Sequence, residues 1–145
     1  MIGIVLVGHG TLAPAVLRSI EGVLGHQVPG VVAVSAAADD TLESLKTRIA
    51  QAAASVEQGQ GTIILTDMFG DSATNVSVAL AREARIQVVT GVNLPILLKV
   101  ISARHAMDLD ALAAFIVEYG RDHILRVGSG APAAPGRGPG KHESR

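Results

Sequence analysis

The feature that constrains the fold most is a short apolar run near the start of the chain, which ends in a Gly-His-Gly turn. The run covers residues 2–7 and is rich in β-branched side chains, a pattern typical of a strand buried on both faces of a parallel sheet. Gly8 and Gly10 flank His9, so the backbone is free to turn sharply there. A helical pattern follows at once. His9 therefore lies where a central strand stops and a helix starts, which is where α/β sheets bind ligands.

A histidine in this position can titrate near neutral pH, accept a proton or act as a nucleophile. The structural alternative is a turn histidine that bonds only to the backbone. The residues around His9 do not decide between these two interpretations, and the deciding residues lie further along the chain.

Length and composition predict one domain with a sizeable core. The chain has 145 residues, of which 48% are hydrophobic, and this composition argues against disorder. No apolar stretch reaches the roughly 18 residues that a membrane span needs, and the first apolar run is too short for a signal peptide. There is no cysteine, so disulfides and thiolate chemistry are excluded. We therefore predict a cytoplasmic protein that does not insert into a membrane.

Charge and residue types exclude several other classes of function. The formal net charge is -1 and aromatic residues make up only 2%, so the chain has neither a basic stripe nor base-stacking platforms for nucleic acid. No two histidines have the helical spacing of metal ligands, and we predict no metal and no cofactor. We interpret the remaining histidines as structural or solvated: His26, His105, His123 and His142.

Apolar strands alternate with amphipathic helices through most of the chain. Strands are predicted at 2–7, 31–34, 62–66 and 86–90, and helices at 12–24, 42–56, 73–84, 96–103 and 108–119, the last ended by Gly120. This alternation predicts a mostly parallel α/β sheet with helices on both faces. A short last strand at 124–127 belongs at a sheet edge, either antiparallel or lent to another subunit.

The C-terminal segment has a different composition. Residues 129–145 are rich in glycine and proline, lack an apolar period, and carry three basic residues against one acidic residue. We predict a folded domain over 1–128 followed by a flexible basic tail over 129–145.

Asp67 ends the third predicted strand and is the candidate partner of His9. In a sheet of order 2-1-3-4 the first and third strands are neighbours, and their carboxyl ends flank the switch-point crevice. A carboxylate bonded to one ring nitrogen fixes the tautomer and leaves the other nitrogen free as a nucleophile. The alternative is that Asp67 is a simple turn aspartate.

Two helices are predicted to begin beside this crevice, near Leu12 and Ala73. Their free N–H groups and positive dipole ends suit a phosphoryl group, and the hydroxyls of Thr11 and Ser72 add donors. Ser72 has an alternative role as a helix N-cap, and we interpret Asn93 as a turn residue. These residue types allow a histidine that accepts phosphate, without demanding one.

Three blocks together resemble the mannose-family IIA domain of the bacterial phosphoenolpyruvate-dependent sugar phosphotransferase system (PTS). Residues 4–11 match the family's phosphohistidine at His9. Residues 66–75 resemble its Asp-x-Phe/Trp-Gly-Gly-Ser/Thr-Pro-x-Asn stretch, whose aspartate, here Asp67, pairs with the histidine. The third block is residues 91–95. Their order and spacing make the likeness specific, and it spans residues 1 to about 127.

The resemblance implies a phosphoryl carrier. Such domains take a phosphoryl group from the phosphocarrier protein HPr on a histidine and pass it to a histidine of a IIB domain. It also implies a doubly wound sheet of order 2-1-3-4 and a homodimer that exchanges a fifth strand. A further implication is association with a membrane IIC/IID complex without insertion of this chain. The residues expected to bind the phosphoryl group or a partner are Gly10, Thr11, Met68, Phe69, Gly70, Asp71 and Ser72.

Two residues depart from the family pattern: Asp71 replaces a glycine and Ala73 replaces a proline. Two like charges within ~5 Å, at an effective dielectric constant of about 20, repel by roughly 3 kcal/mol. Asp71 is therefore expected to oppose a phosphoryl group on His9 unless its side chain faces solvent.

Two alternative functions remain open at this point. The first is a degenerate IIA-like regulatory or sensor domain that binds HPr without sugar transport. The second is a chelatase-like α/β enzyme, since Gly-His-Gly after a first strand occurs there too, although this interpretation leaves the Asp67 block unexplained.

Overall fold

The computed structural model describes residues 1–128, which form a four-stranded parallel sheet with helices on both faces. Its strand order, β2-β1-β3-β4, confirms the predicted 2-1-3-4 topology. The strands are β1 (Gly3–His9), β2 (Val31–Ala36), β3 (Thr62–Thr66) and β4 (Ile86–Thr90). The helices are α1 (Leu12–Leu24), α2 (Leu42–Val56), α3 (Ser72–Ala81), α4 (Leu94–Ala103) and α5 (Leu109–Asp122). The tail predicted over 129–145 lies outside the described residues.

The two faces of the sheet carry separate apolar cores. On one face Ile4 and Leu6 of β1 pack with side chains of α1, α4 and α5. On the other face Val5 and Val7 pack with α2 and α3. Because β1 is covered on both faces, every residue from Gly3 to Gly8 is buried, which explains why its sequence is an apolar run and not an alternation.

Two predicted helix ends differ from the structure. Helix α3 ends at Ala81 and not at the predicted residue 84, so Ala84 lies beyond the helix and is exposed. Helix α5 runs through Gly120 to Asp122, and the prediction that Gly120 ends it was wrong. A Cβ atom at Gly120 would lie 2.7 Å from Cδ1 of Ile96. The glycine therefore permits close packing of α5 against α4 and does not mark a helix terminus.

The predicted last strand at 124–127 is not formed in the single chain. These residues have no strand pairing within the described part of the protein, and the side chains of Ile124 and Val127 are largely exposed. The physical reason is that a strand exists only through its hydrogen-bonded neighbour, and this segment pairs with neither of the two edge strands, β2 and β4. Its exchange with a second subunit stays a prediction.

A buried cation closes the end of the sheet opposite His9. The guanidinium of Arg104, at the end of α4, donates hydrogen bonds to the carbonyl oxygens of Pro29 at 2.6 Å and Gly30 at 3.3 Å. Burial lowers the pKa of Arg104.

No helix within residues 1–128 is both long and apolar enough to cross a lipid bilayer.

Candidate functional site

The sheet brings His9 and Asp67 together at the carboxyl ends of its two central strands. Strands β1 and β3 pair in parallel with Val7 opposite Thr66, so the residues that follow leave the sheet side by side. The side chain of His9 is 54% exposed and that of Asp67 is 9% exposed. The ring is thus open to solvent on one side, while the carboxylate beside it is almost buried.

Asp67 holds His9 by two hydrogen bonds to one carboxylate oxygen. Its Oδ2 accepts from the backbone N–H of His9 at 2.9 Å and lies 2.8 Å from ring atom Nδ1. Its Oδ1 accepts from the backbone N–H of Met68 at 2.9 Å. With Nδ1–H directed at Asp67, the neutral ring carries its lone pair on Nε2. The side chain of Asp67 therefore orients the ring and selects the tautomer.

The positive charge of a protonated His9 and the negative charge of Asp67 stabilise each other. The hydrogen bond to Asp67 and the negative charge of Asp67 raise the pKa of His9, and the charge of Asp71 adds to this, while burial opposes it. Burial acts to raise the pKa of Asp67, but the hydrogen bonds from His9 and Met68 outweigh it, so that pKa is lowered. The arrangement favours a charged ring beside an ionised carboxylate.

We expect an NMR titration to give His9 a pKa above the ordinary value of about 6.5. The contact between His9 and Asp67 then adds to the free energy of unfolding. This contribution is complete below the pKa of His9 in the unfolded chain, and it is lost as the pH rises through the higher pKa of His9 in the folded protein. Asp67→Asn should lower the pKa of His9, whereas Asp108→Asn, the same change at the distant N-cap of α5, should not move it. A wild-type pKa of His9 at or below 6.5 would contradict the assigned contact.

Asp71 faces the other ring nitrogen of His9. It is the N-cap of α3, and its Oδ1 accepts a hydrogen bond from the backbone N–H of Thr74 at 2.7 Å. Its Oδ2 lies 3.4 Å from Nε2 of His9. The carboxylate is thus directed at the site and not at solvent. The alternative of Ser72 as the helix cap was wrong, because Asp71 supplies the cap and Ser72 is the first residue of the helix.

Thr74 is a positioning residue that sequence reasoning missed. Its hydroxyl donates to the carbonyl oxygen of Met68 at 2.8 Å and lies 3.0 Å from the hydroxyl of Thr66. Thr74 therefore ties the loop that carries Asp67 and Asp71 to the first turn of α3. The only sequence signal was a polar residue on the inward face of a helix, which is too common to single out a site.

The other predicted site residues follow His9 or Asp67 directly in the chain. Gly10 has φ +55° and its N–H donates to the carbonyl oxygen of Ala36 at 3.0 Å. Thr11 precedes α1, but its side chain makes no capping hydrogen bond. Met68 and Phe69 project outward and are 54% and 82% exposed. Gly70, with φ +84°, turns the chain back toward α3.

The start of α1 approaches β1 closely beside the ring. A Cβ atom at Gly8 would lie 3.2 Å from the backbone nitrogen of Ala13, so glycine allows this approach. A cleft of about 510 Å³ adjoins His9 on the side of α2 and α3. Its lining includes Ala36, Thr41 and Asp71. His9 thus opens onto this cleft.

Three side chains at the site have atoms of the kind that bind metals. One ligand atom from each of His9, Asp67 and Asp71 lies within 4.8 Å of the others. Asp67 already uses its Oδ2 on the ring of His9, so the open side of the cluster consists of Nε2 and the carboxylate of Asp71. The sequence prediction of no metal depends on the spacing of histidines along a helix, and that spacing gives no information about residues that come together from different loops.

The comparison with known proteins decides the family. The EIIA-man family model, described as "PTS system fructose IIA component", matches residues 3–117. This chain belongs to the EIIA-man family. The resemblance to the mannose-family IIA domain is therefore confirmed, and the chain is a PTS IIA component.

Individual members of the EIIA-man family agree with this assignment. The fructose-specific EIIA component of Bacillus subtilis is 29% identical over 113 residues, which cover 77% of each chain. The mannose-specific EIIAB component of Escherichia coli is 30% identical over 125 residues, covering 85% of this chain but 38% of that protein. A solved EIIA structure from Streptococcus agalactiae has a TM-score of 0.79 and 27% identity, covering 87% of this chain and 97% of its own.

Proposed function

We propose that this EIIA-man domain is a phosphoryl carrier that accepts a phosphoryl group from phospho-HPr on His9 and passes it to a histidine of a IIB domain. The observation that carries the proposal is the 2.8 Å contact between Asp67 and Nδ1 of His9. In the neutral ring this contact leaves Nε2 as the nucleophile. Membership in a family of PTS components favours this function over the chelatase-like alternative.

The proposed transfer balances without a co-reactant. The lone pair of Nε2 attacks the phosphorus of phospho-HPr, a new N–P bond forms on His9, and the bond from phosphorus to HPr breaks with its electron pair left on HPr. The ring then carries positive charge, which the adjacent carboxylate of Asp67 stabilises. Transfer to the IIB histidine is the same exchange in the forward direction, with His9 as the leaving group.

Three further features support this function. Helix α1 begins at Leu12, and its first-turn N–H groups and positive dipole end favour an anion. The exposed side chains of Met68 and Phe69 offer an apolar contact for a protein partner beside the reacting nitrogen. The cleft next to His9 leaves the ring accessible.

The test is phosphoryl transfer with purified proteins. The full chain is incubated with phosphoenolpyruvate, Enzyme I and HPr, and mass spectrometry under non-acidic conditions locates the phosphate. We expect phosphate on His9 that moves to a IIB protein when one is added. Absence of label on the chain, with HPr fully phosphorylated, would overturn the proposal.

The position of Asp71 favours a second candidate, a regulatory IIA-like domain that binds HPr without supporting sugar transport. Its carboxylate lies 3.4 Å from Nε2, where it opposes a phosphoryl group carrying a charge near -2. A domain that holds phosphate weakly would bind phospho-HPr and return the group readily. Measuring the transfer equilibrium with HPr separates this candidate from an efficient carrier.

We expect Asp71→Gly to shift the transfer equilibrium toward phosphorylated His9, by about tenfold for each 1.4 kcal/mol of repulsion removed. Glycine at an N-cap costs only a few tenths of a kcal/mol, so the helix should persist. Asp71→Asn, which keeps a capping oxygen, should shift the equilibrium in the same direction. The shift should shrink as salt rises, because salt screens partly exposed charges. An unchanged equilibrium at low salt would show that Asp71 acts only as a cap.

We also propose a homodimer in which residues 124–127 pair with the partner's sheet edge. The support is an open edge at β4 and a groove of about 440 Å³ beside it, lined in part by Val89, Ile116 and Ile124. Deleting residues 122–145 should give monomer or aggregate in light scattering, because the edge loses its cover. Deleting only 130–145 should leave the dimer intact. A monomeric full-length protein would refute this arrangement.

A further inference from the structure

Two electron-rich atoms face each other on the open side of His9. When the ring of His9 is neutral, the tautomer selected by Asp67 leaves a lone pair on Nε2, and when the ring is charged the same nitrogen carries a proton. Oδ2 of Asp71 lies 3.4 Å from it. That oxygen is buried and has no hydrogen-bond partner among residues 1–128, and the whole side chain is only 9% exposed. A buried carboxylate oxygen without a hydrogen bond is costly, so a cation bound beside it, either a proton on Nε2 or a metal ion, would stabilise it.

The spacing of the two atoms fits a tetrahedral metal ion. Zinc binds imidazole nitrogen and carboxylate oxygen at about 2.0–2.2 Å, and at a tetrahedral angle two such ligands lie about 3.4 Å apart. The distance between Nε2 of His9 and Oδ2 of Asp71 is 3.4 Å. The separation of the two atoms therefore matches that of two ligands on one tetrahedral ion.

Asp67 contacts the other ring nitrogen of His9, Nδ1, and orients the ring toward the proposed ion. A histidine that binds a metal commonly donates its second N–H to a carboxylate, which fixes the ring and increases its basicity. Nδ1 of His9 has that contact with Asp67 at 2.8 Å. The three residues of the cluster therefore have two distinct roles: two ligands and one orienting carboxylate.

We propose that His9 Nε2 and Asp71 Oδ2 form a binding site for a divalent transition metal of the zinc class, with Asp67 orienting His9. Imidazole suits zinc and its neighbours, whereas magnesium prefers an octahedral set of oxygen ligands. The half-exposed ring and the adjoining cleft give the ion access and leave its other positions to water.

A metal in this site would use the lone pair that phosphoryl acceptance needs. Metal binding and phosphorylation of His9 should therefore exclude each other, a consequence that rests on the proposed carrier function. Metal binding itself does not depend on that function. Loss of zinc binding and loss of phosphoryl transfer are measured separately, so either proposal can fail alone.

The test uses zinc ions and the full chain in a phosphate-free buffer. Calorimetry measures the affinity, and NMR of the histidine ring nitrogens identifies the ligand. We expect Zn²⁺ to shift the Nε2 signal of His9. Asp67→Asn should weaken binding by about 10–100-fold, the usual effect of removing an orienting partner, and Asp71→Asn should weaken it at least tenfold.

The matched control is Asp108→Asn, the same substitution at the N-cap of α5, whose Oδ1 accepts from the N–H of Ala111 at 2.8 Å. Zinc affinity should be unchanged in this variant. Asp71→Gly is a second test should Asp71→Asn fold poorly, and it should bind as weakly. Wild-type affinity in both Asp71 variants, or a His9 ring signal that zinc does not move, would overturn the proposal.

Discussion

Replacing His9 with alanine is expected to abolish labelling by phospho-HPr while the fold stays intact. The imidazole supplies the nucleophile of the proposed transfer, and alanine offers no atom that can take its place. The side chain is 54% exposed, so its removal leaves no cavity in the core. Label retained on the protein after phosphoenolpyruvate, Enzyme I and HPr are added measures the effect, and far-UV circular dichroism checks the fold.

A matched control for this variant is His26→Ala. His26 is also exposed, and its ring contacts the carbonyl oxygen of Gln27, away from the strand ends that carry the site. Labelling of this variant should equal that of the wild type. If label survives in the His9 variant, the phosphoryl acceptor lies elsewhere in the chain and the proposed carrier mechanism is wrong.

The second large effect is expected for Asp67→Asn, which should slow phosphoryl transfer by a factor on the order of 10²–10⁴, as for other carboxylates that orient a catalytic histidine. Asparagine keeps the size of the side chain but loses the charge that stabilises the ring during transfer. Its amide group also cannot accept at both of its positions, so the hydrogen bonds from His9 and Met68 cannot all persist.

Single-turnover transfer from phospho-HPr measures this loss directly. Binding of HPr to the same variant should change little, because the carboxylate is 9% exposed and lies beneath the ring. Asp108→Asn serves as the control for the chemistry of the substitution and should transfer at the wild-type rate. An unchanged rate for Asp67→Asn would mean that the contact with His9 has no part in the reaction.

The sequence by itself determined the sheet and the pairing of its central strands. The unbroken apolar runs of β1 and β3 require cover on both faces, and a parallel sheet between helical layers supplies it. The family resemblance implied the order 2-1-3-4, in which the carboxyl ends of these strands are neighbours, so that His9 approaches Asp67. These signals are local and periodic, which is why a single chain reveals them.

The tertiary structure alone decided the direction of side chains whose partners are distant in sequence. The sequence left open whether Asp71 is a repulsive charge at the site or a cap that faces solvent. In the structure, Asp71 lies at the start of α3 with its Oδ2 directed at His9, 62 positions earlier in the chain. The same holds for Gly120, which looked like a helix end but makes room for Ile96. Helix caps and close packing depend on which surface a neighbouring helix or strand presents. The hydrophobic periodicity of the sequence contains no information about that surface.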